Sequence, residues 1–193
     1  MEGETTPTNN NTVTNVAAGK PKVGGSVYVA PAGTTLPTDA TTALASAFKC
    51  LGYVSEDGLT NTPEMSTELI KSWGGDVVLA ANNGMNDNFG FTLIEVLNED
   101  VLKFVYGPEN VSGALSTGLT VKAMGVPNAA ENVLVVETVL RGAVKRIVIP
   151  RAVVTAVAEI VYRDNAAVGY DTTVAALPGT DGATHTEYIK TAT

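Results

Sequence analysis

Between residues 52 and 97 the apolar, β-branched and aromatic positions come in short runs separated by glycine and asparagine. The stretch reads GYVSEDGLTNTPEMSTELIKSWGGDVVLAANNGMNDNFGFTLIEVL. Runs such as Tyr53-Val54 and residues 68–73 are cut by Gly58, Gly74-Gly75 and residues 82–84, which predicts strands joined by hairpins. Trp73, the only tryptophan, stands just before Gly74-Gly75-Asp76, where the backbone must turn. Residues 88–97 are apolar on both faces, with Phe89, Phe91, Leu93 and Leu97 on one side and Ile94 and Val96 on the other. That pattern predicts a strand covered on both sides. Glu95 falls on the Phe89 face, where a carboxylate needs a partner. With no second acid or histidine identifiable beside it, a paired structural glutamate is the better reading than a catalytic acid.

The rest of the chain follows in order. Residues 1–22 are rich in Thr, Asn and Pro, too poor in large apolar groups to order by burial, and predict a flexible N-terminal arm. Residues 23–30 alternate, with Val27 and Val29 on one face and Ser26 and Tyr28 on the other, and predict the first strand. Asp39 can cap a short helix in which Leu44, Ala47, Phe48 and Leu51 form one apolar stripe that Gly52 ends. Asn98 caps a second helix, with Glu99 and Asp100 in its first turn, a packing face of Val101, Leu102, Phe104 and Val105, and Gly107-Pro108 as its stop. Strands are then predicted over 119–126, 132–141, 144–149, 154–163 and 168–177, with Arg141-Gly142-Ala143 as a tight hairpin and Pro150 marking an edge or a bulge. Residues 178–193 form a Gly- and Thr-rich tail with a small hook at Tyr188-Ile189. The expected architecture is mainly β: one domain over 23–177, a β-sandwich or barrel-like fold with one or two short α-helices.

Composition narrows the function. A chain of 193 residues can bury a substantial core, and its 12 Lys+Arg against 20 Asp+Glu give a net charge of -8. An acidic protein of this kind does not grip nucleic acid through counterion release. The charge is uneven: through Val135 there are 6 basic and 14 acidic residues, and from Val136 onward 6 of each. Five of the 12 basic residues, Arg141, Lys145, Arg146, Arg151 and Arg163, fall in one short span. An acidic front and a locally basic back suit self-association, although charge alone fits an ordinary surface as well. Cys50 is the only cysteine, which excludes an internal disulfide framework. The N-terminus lacks the basic and apolar regions of a secretory signal, and the longest apolar stretch, 147–161, is interrupted by Pro150, Arg151 and Glu159. A soluble protein made in a cytoplasm, without membrane contact, is expected.

Candidate chemistry is sparse. His185 is the only histidine and lies in the tail, where an exposed position is expected, which undercuts histidine-based triads and multi-histidine metal sites. Cys50 reads as a small buried hydrophobe. Gly24-Gly25-Ser26 precedes a strand rather than a helix and lacks the context of a phosphate loop. The carboxylates Glu56, Asp57, Glu64, Glu68 and Asp76 are dense, but no calcium-loop spacing is present and nothing selects two of them as a glycosidase pair. No enzyme activity, cofactor or metal is expected.

Several segments, in this order, resemble the major tail tube protein of siphophages, the long-tailed phages with non-contractile tails: SVYVAPAGTTLPTDA, AFKCLGYVSEDGLT, ELIKSWGGDVV, NFGFTLIEVLNEDVLKFVYGPENV and KRIVIPRAVV. The resemblance runs from about Gly25 to Tyr170. It implies a β-sandwich with a helix, hexameric rings whose inner sheets join into one ring-wide β-barrel, and stacking into a hollow tube that carries the genome out of the virion. Ring closure would pair exposed strand edges, and head-to-tail stacking would propagate a filament. It further implies tape-measure, tail-tip and tail-terminator proteins as partners, and assembly in the bacterial host cytoplasm. On that basis Glu56, Asp57, Glu64, Glu68 and Asp76 are candidate lumen-lining residues, repelling the phosphates of DNA that slides past without specific binding. Arg141, Lys145, Arg146, Arg151 and Arg163 are candidate contacts to acidic groups of adjacent subunits. A monomeric β-sandwich binding module would need an aromatic platform, which the scattered tyrosines and single Trp73 do not suggest. An extracellular surface-structure subunit is the other alternative, and would need a secretion signal.

Overall fold

A computed structural model of the chain describes residues 11–124 and 130–191. Its strands in chain order are β1 (Lys20–Pro21), β2 (Val27–Pro31), β3 (Lys49–Cys50), β4 (Val54–Lys71) and β5 (Val77–Leu93), then β6 (Val111–Ala114) and β7 (Gly118–Val121). After these come β8 (Asn132–Leu140), β9 (Ala143–Val157), β10 (Tyr170–Ala176) and β11 (Thr186–Thr191). One α-helix, α1 (Glu99–Tyr106), lies between β5 and β6. Nine strands make one antiparallel sheet in the order β3-β2-β8-β9-β10-β5-β4, with β1 added to β8 and β11 to β9, and β6-β7 form a separate small hairpin. The result is mainly β and sandwich-like, and the sheet does not close on itself within one chain.

The centre of the sheet is apolar on both faces. Val133, Leu134, Val135 and Val136 of β8 are all buried, so alternation sends pairs of them into two cores. Leu134 and Val136 join Ile147 and Ile149 of β9 and Phe89, Phe91 and Leu93 of β5 in the main core. Helix α1 closes that core with Val101, Leu102, Phe104 and Val105, and Phe104 stacks on Phe91 at 6.4 Å between ring centroids. Its ends are as the sequence predicts: the Asn98 side chain accepts from the Asp100 N–H at 3.0 Å, and the Gly107 N–H donates to Lys103 O at 2.9 Å. Val133, Val135 and Val148 face the other way and pack with Ala30 and Phe48 under the loop that precedes β3.

The helix expected over Leu44, Ala47, Phe48 and Leu51 does not form. The chain turns at residues 45–48, where the Phe48 N–H donates to Ala45 O at 3.0 Å, and then enters β3 opposite Tyr28 and Val29. Ladder bonds to β2 outcompete a short helix whose stripe was three large apolar residues and one alanine. Asp39 does cap, but it closes a turn: its Oδ1 accepts from the N–H groups of Thr41 and Thr42, at 2.6 Å each. Hydrogen bonds from Thr42 and Thr41 hold its carboxyl well below the ordinary range.

The Arg141-Gly142 hairpin joins β8 to β9 as predicted, with Leu140 opposite Ala143 and Gly142 at φ 71°. Pro150 stands at an irregularity where β9 gains a residue relative to β8, so its missing N–H costs no ladder bond. The two strands predicted on either side of it are therefore one strand, β9, which ends at Val157 rather than continuing to Arg163. The strand predicted over 119–126 ends at Val121, and residues 125 and 126 lie outside the described residues. Of the predicted arm, residues 1–10 also lie outside them, while Lys20 and Pro21 pair with Val139 and Thr138 of β8. In the C-terminal segment, the Tyr188-Ile189 hook is part of β11, registered along β9 from Val148 to Ala143.

Candidate functional site

Strands β4 and β5, 18 and 17 residues long, form one hairpin far longer than the body needs. At the usual rise it extends about 60 Å. Of the breaks read from the sequence, Gly58 and residues 82–84 lie in bulges within it, and Gly74-Gly75 form its turn. Ser55, Glu56, Asp57 and Gly58 swell out between the Val54–Leu93 and Leu59–Phe91 pairs. A second shift falls between Ser66–Gly84 and Thr67–Asn82, where Asn82 Oδ1 accepts from the Gly84 N–H at 3.0 Å. A bulge adds a residue without ending the ladder, so glycine and asparagine here bend a continuous ribbon.

Strand β10 accompanies β5 only from Leu93 to Asp87. Beyond that point, residues 64–86 form a two-stranded ribbon that no third strand flanks among the described residues, ending in a turn where the Gly75 N–H donates to Ser72 O at 2.9 Å. Two strands alone are marginal in water, and long bare edges template pairing with another chain.

The register sorts the ribbon into two faces. The core face of Phe91 and Phe89 continues outward through Met65 opposite Met85 and Leu69 opposite Ala80. The other face carries Thr62, Glu64, Ser66 and Glu68 from β4, opposite Asn88, Asn86, Gly84 and Ala81. Ile70 and Leu79 pair on that second face near the tip, and beyond a third register shift Val77 stands opposite Lys71. Met65, Leu69, Val77, Val78 and Leu79 are each more than half exposed, and Trp73 at the turn is fully exposed. On the core face these apolar pairs alternate with Pro63 opposite Asp87 and Thr67 opposite Asn82, and exposed apolar side chains on a ribbon leading out of a core are the character of a protein–protein contact surface.

The five candidate acids are all exposed and are not gathered into one cluster. Glu56 and Asp57 occupy the bulge at the hairpin's root, Glu64 and Glu68 share the polar face, and Asp76 is at the tip. The basic set disperses further. Arg146 is buried against the equally buried Glu137, with which it forms a tight ion pair, and donates to the carbonyls of Asp39 at 2.7 Å and Thr42 at 2.8 Å. Lys22 Nζ completes that network on Glu137 Oε2 at 2.6 Å. Arg146 therefore pins the 39–42 loop inside its own subunit and cannot reach a neighbour, which corrects its assignment as an inter-subunit contact. Arg151 grips Glu131 through two bonds of 2.9 and 2.6 Å, which pushes the arginine up and the glutamate down from their ordinary values. Lys145 pairs with Glu187 at 2.6 Å, and Arg141 donates to Val13 O at 3.3 Å. Arg163 is exposed, in the irregular segment after β9.

Two polar sites depart from or complete the sequence reading. Glu95 has its partners: Oε1 accepts from the Tyr53 N–H at 2.9 Å and Oε2 from Asn98 Nδ2 at 3.2 Å. Gly52 makes room for this carboxylate, since a Cβ there would collide with it. His185 is not an exposed tail residue. Its Nδ1 lies 2.6 Å from Oδ2 of Asp87, a carboxylate that is only 2% exposed and that sequence reasoning missed. The signal was present in the alternation, because Asp87 falls on the same buried face as Phe89, Phe91 and Leu93. Among the described residues, no group of three or more His, Cys, Asp or Glu comes together to hold a metal ion, and no helix is long and apolar enough to cross a membrane.

A β-sheet body that extends a long ribbon, exposed among the described residues, has the build of a structural subunit. The sequence matches the family described as phage tail tube protein over residues 6–193, nearly its whole length, and the chain belongs to that family. Membership makes it a structural component of the phage tail, in a family that implies self-assembly alongside other tail components. No curated protein matches the chain.

Proposed function

We propose that this chain is the repeating subunit of a siphophage tail tube, closing hexameric rings that stack head to tail around a lumen through which DNA is ejected. The observation that carries the reading is the ribbon of residues 64–86, whose apolar side chains Met65, Leu69 and Trp73 are exposed and which no third strand flanks among the described residues. In a ring, a neighbouring copy covers the Met65–Leu69 face and pairs the free edges, so inner sheets join into one barrel. The face bearing Glu64 and Glu68 then lines the lumen, with Glu56, Asp57 and Asp76 at its two margins. Carboxylates there repel phosphate and let the genome slide without sticking.

Of the basic candidates, Arg141 and Arg163 remain for acidic groups on adjacent subunits, with Lys145 and Arg151 contributing at the rim of their internal pairs. The role is structural, without catalysis or cofactor. Tape-measure, tail-tip and tail-terminator proteins are the expected partners, and assembly takes place in the host cytoplasm. Negative-stain electron microscopy of the concentrated protein, with and without tail-tip complex, tests the proposal. Hollow stacked rings are expected, and a chain that stays monomeric in both conditions would refute it.

A further inference from the structure

At the root of the ribbon, several residues out from the 55–58 bulge, the sheet narrows from three strands to two. The last partner of β5 on β10 is Ala176, opposite Asp87. Two separate parts of the chain meet on that buried carboxylate. Asn61 Nδ2 of β4 donates to Oδ1 at 2.6 Å. From the C-terminal segment, Thr184 Oγ1 donates to Oδ2 at 2.7 Å and His185 Nδ1 to the same oxygen at 2.6 Å. The His185 ring also stands edge-on to Phe89, at 5.3 Å and 88°. On its outer side, His185 Nε2 lies 3.9 Å from Glu187 Oε1, which is itself paired with Lys145 Nζ at 2.6 Å.

We infer that Asp87 is a latch coupling the C-terminal segment to the hairpin: the ribbon holds one direction from the body only while residues 184–191 are docked along β9. The inference rests on reading the ribbon as the assembly element. A carboxylate removed from water must have both oxygens satisfied by donors. Here one oxygen is satisfied by the hairpin and the other by the C-terminal segment, so neither can leave without exposing the charge to the other's loss. Beyond Asp87 no third strand braces the ribbon among the described residues, so its angle is set at this root. A purely apolar contact would bury the same area without this directional, two-sided demand. The three donors outweigh the opposing effect of burial and hold the Asp87 carboxyl below its ordinary value, consistent with an ionised hub.

Amide hydrogen exchange on the full-length monomer tests the coupling in wild type, Asp87→Asn and Thr184→Val. In both variants exchange should accelerate together at the hairpin root (Asn61, Thr62, Asn88) and along β11, by about tenfold or more, with Val133–Val136 of β8 still protected. Ile149→Val, which trims the central core instead, should leave the root protected relative to β8. In wild type the root's protection should fall on acidification as Asp87 protonates, whereas Asp87→Asn should show a flat profile over that range. The inference is overturned if the root keeps wild-type protection in the variants, or if the root and β11 open independently. Should Asp87→Asn fail to fold, Thr184→Val, which removes one donor, decides the question alone. Because the readout is on the monomer, failure here leaves the tube proposal standing, and failure of wild type to form tubes leaves the coupling measurable.

Discussion

Strands β8 and β4 obey the same period-two geometry, yet one is the most enclosed part of the molecule and the other among the most exposed. In β8, consecutive valines and Leu134 are buried because a helix covers one face of the sheet and the 36–48 loop covers the other. In the outer half of β4, Met65, Leu69 and Ile70 remain 74%, 54% and 44% exposed. Alternation states which residues share a face. What covers that face is a separate matter, and for the ribbon we propose that the cover is a neighbouring copy.

Perturbing the two regions should therefore have opposite consequences. The largest loss of subunit stability is expected at the body's charged peg: Arg146→Ala strands Glu137 in the interior and should cost about 3–5 kcal/mol, read from the shift in urea midpoint. Next, Leu134→Ala should cost about 2–5 kcal/mol through its cavity. By contrast, Leu69→Ser or Trp73→Ala should leave the monomer within about 0.5 kcal/mol while weakening self-association, measured by sedimentation. Equal destabilisation by both classes would break the comparison.

Smaller effects sharpen it at the junction. The folded Asp87 carboxyl titrates below its unfolded value of 3.8, so its stabilisation is fully present above that value and is lost as pH falls through the folded one. Acid unfolding followed by circular dichroism should thus shift in Asp87→Asn, with the added acid sensitivity of wild type removed. Smallest of all on the subunit are Glu64→Lys and Glu68→Lys. Both should leave folding and tube formation unchanged while slowing DNA ejection, more so at low ionic strength. Unchanged ejection would remove these two from the lumen.

Much of the body was legible in the sequence. Helix α1 carried its own cap, first-turn acids and stop at Gly107. The Arg141-Gly142 turn and the buried side of Phe89, Phe91 and Leu93 followed from pattern alone. The ribbon was legible as strands but not as one hairpin, because glycine and asparagine punctuate a bulge and a turn alike. The helix over residues 44–51 failed because a short apolar stripe cannot outweigh a ladder with β2 that lies outside the local window. Arg146 and His185 were misjudged for a related reason. Their partners Glu137 and Asp87 lie 9 and 98 residues away, and only the strand register and the return of the C-terminal segment bring them together.

The central claim is that the ribbon of residues 64–86 is covered by neighbouring copies. A cryo-electron microscopy reconstruction of the assembled particle tests it most directly. The account predicts hollow rings in which Met65, Leu69 and Trp73 are buried against adjacent subunits and Glu64 and Glu68 face the lumen. A tube built through other surfaces, with the ribbon left bare to solvent, would contradict it.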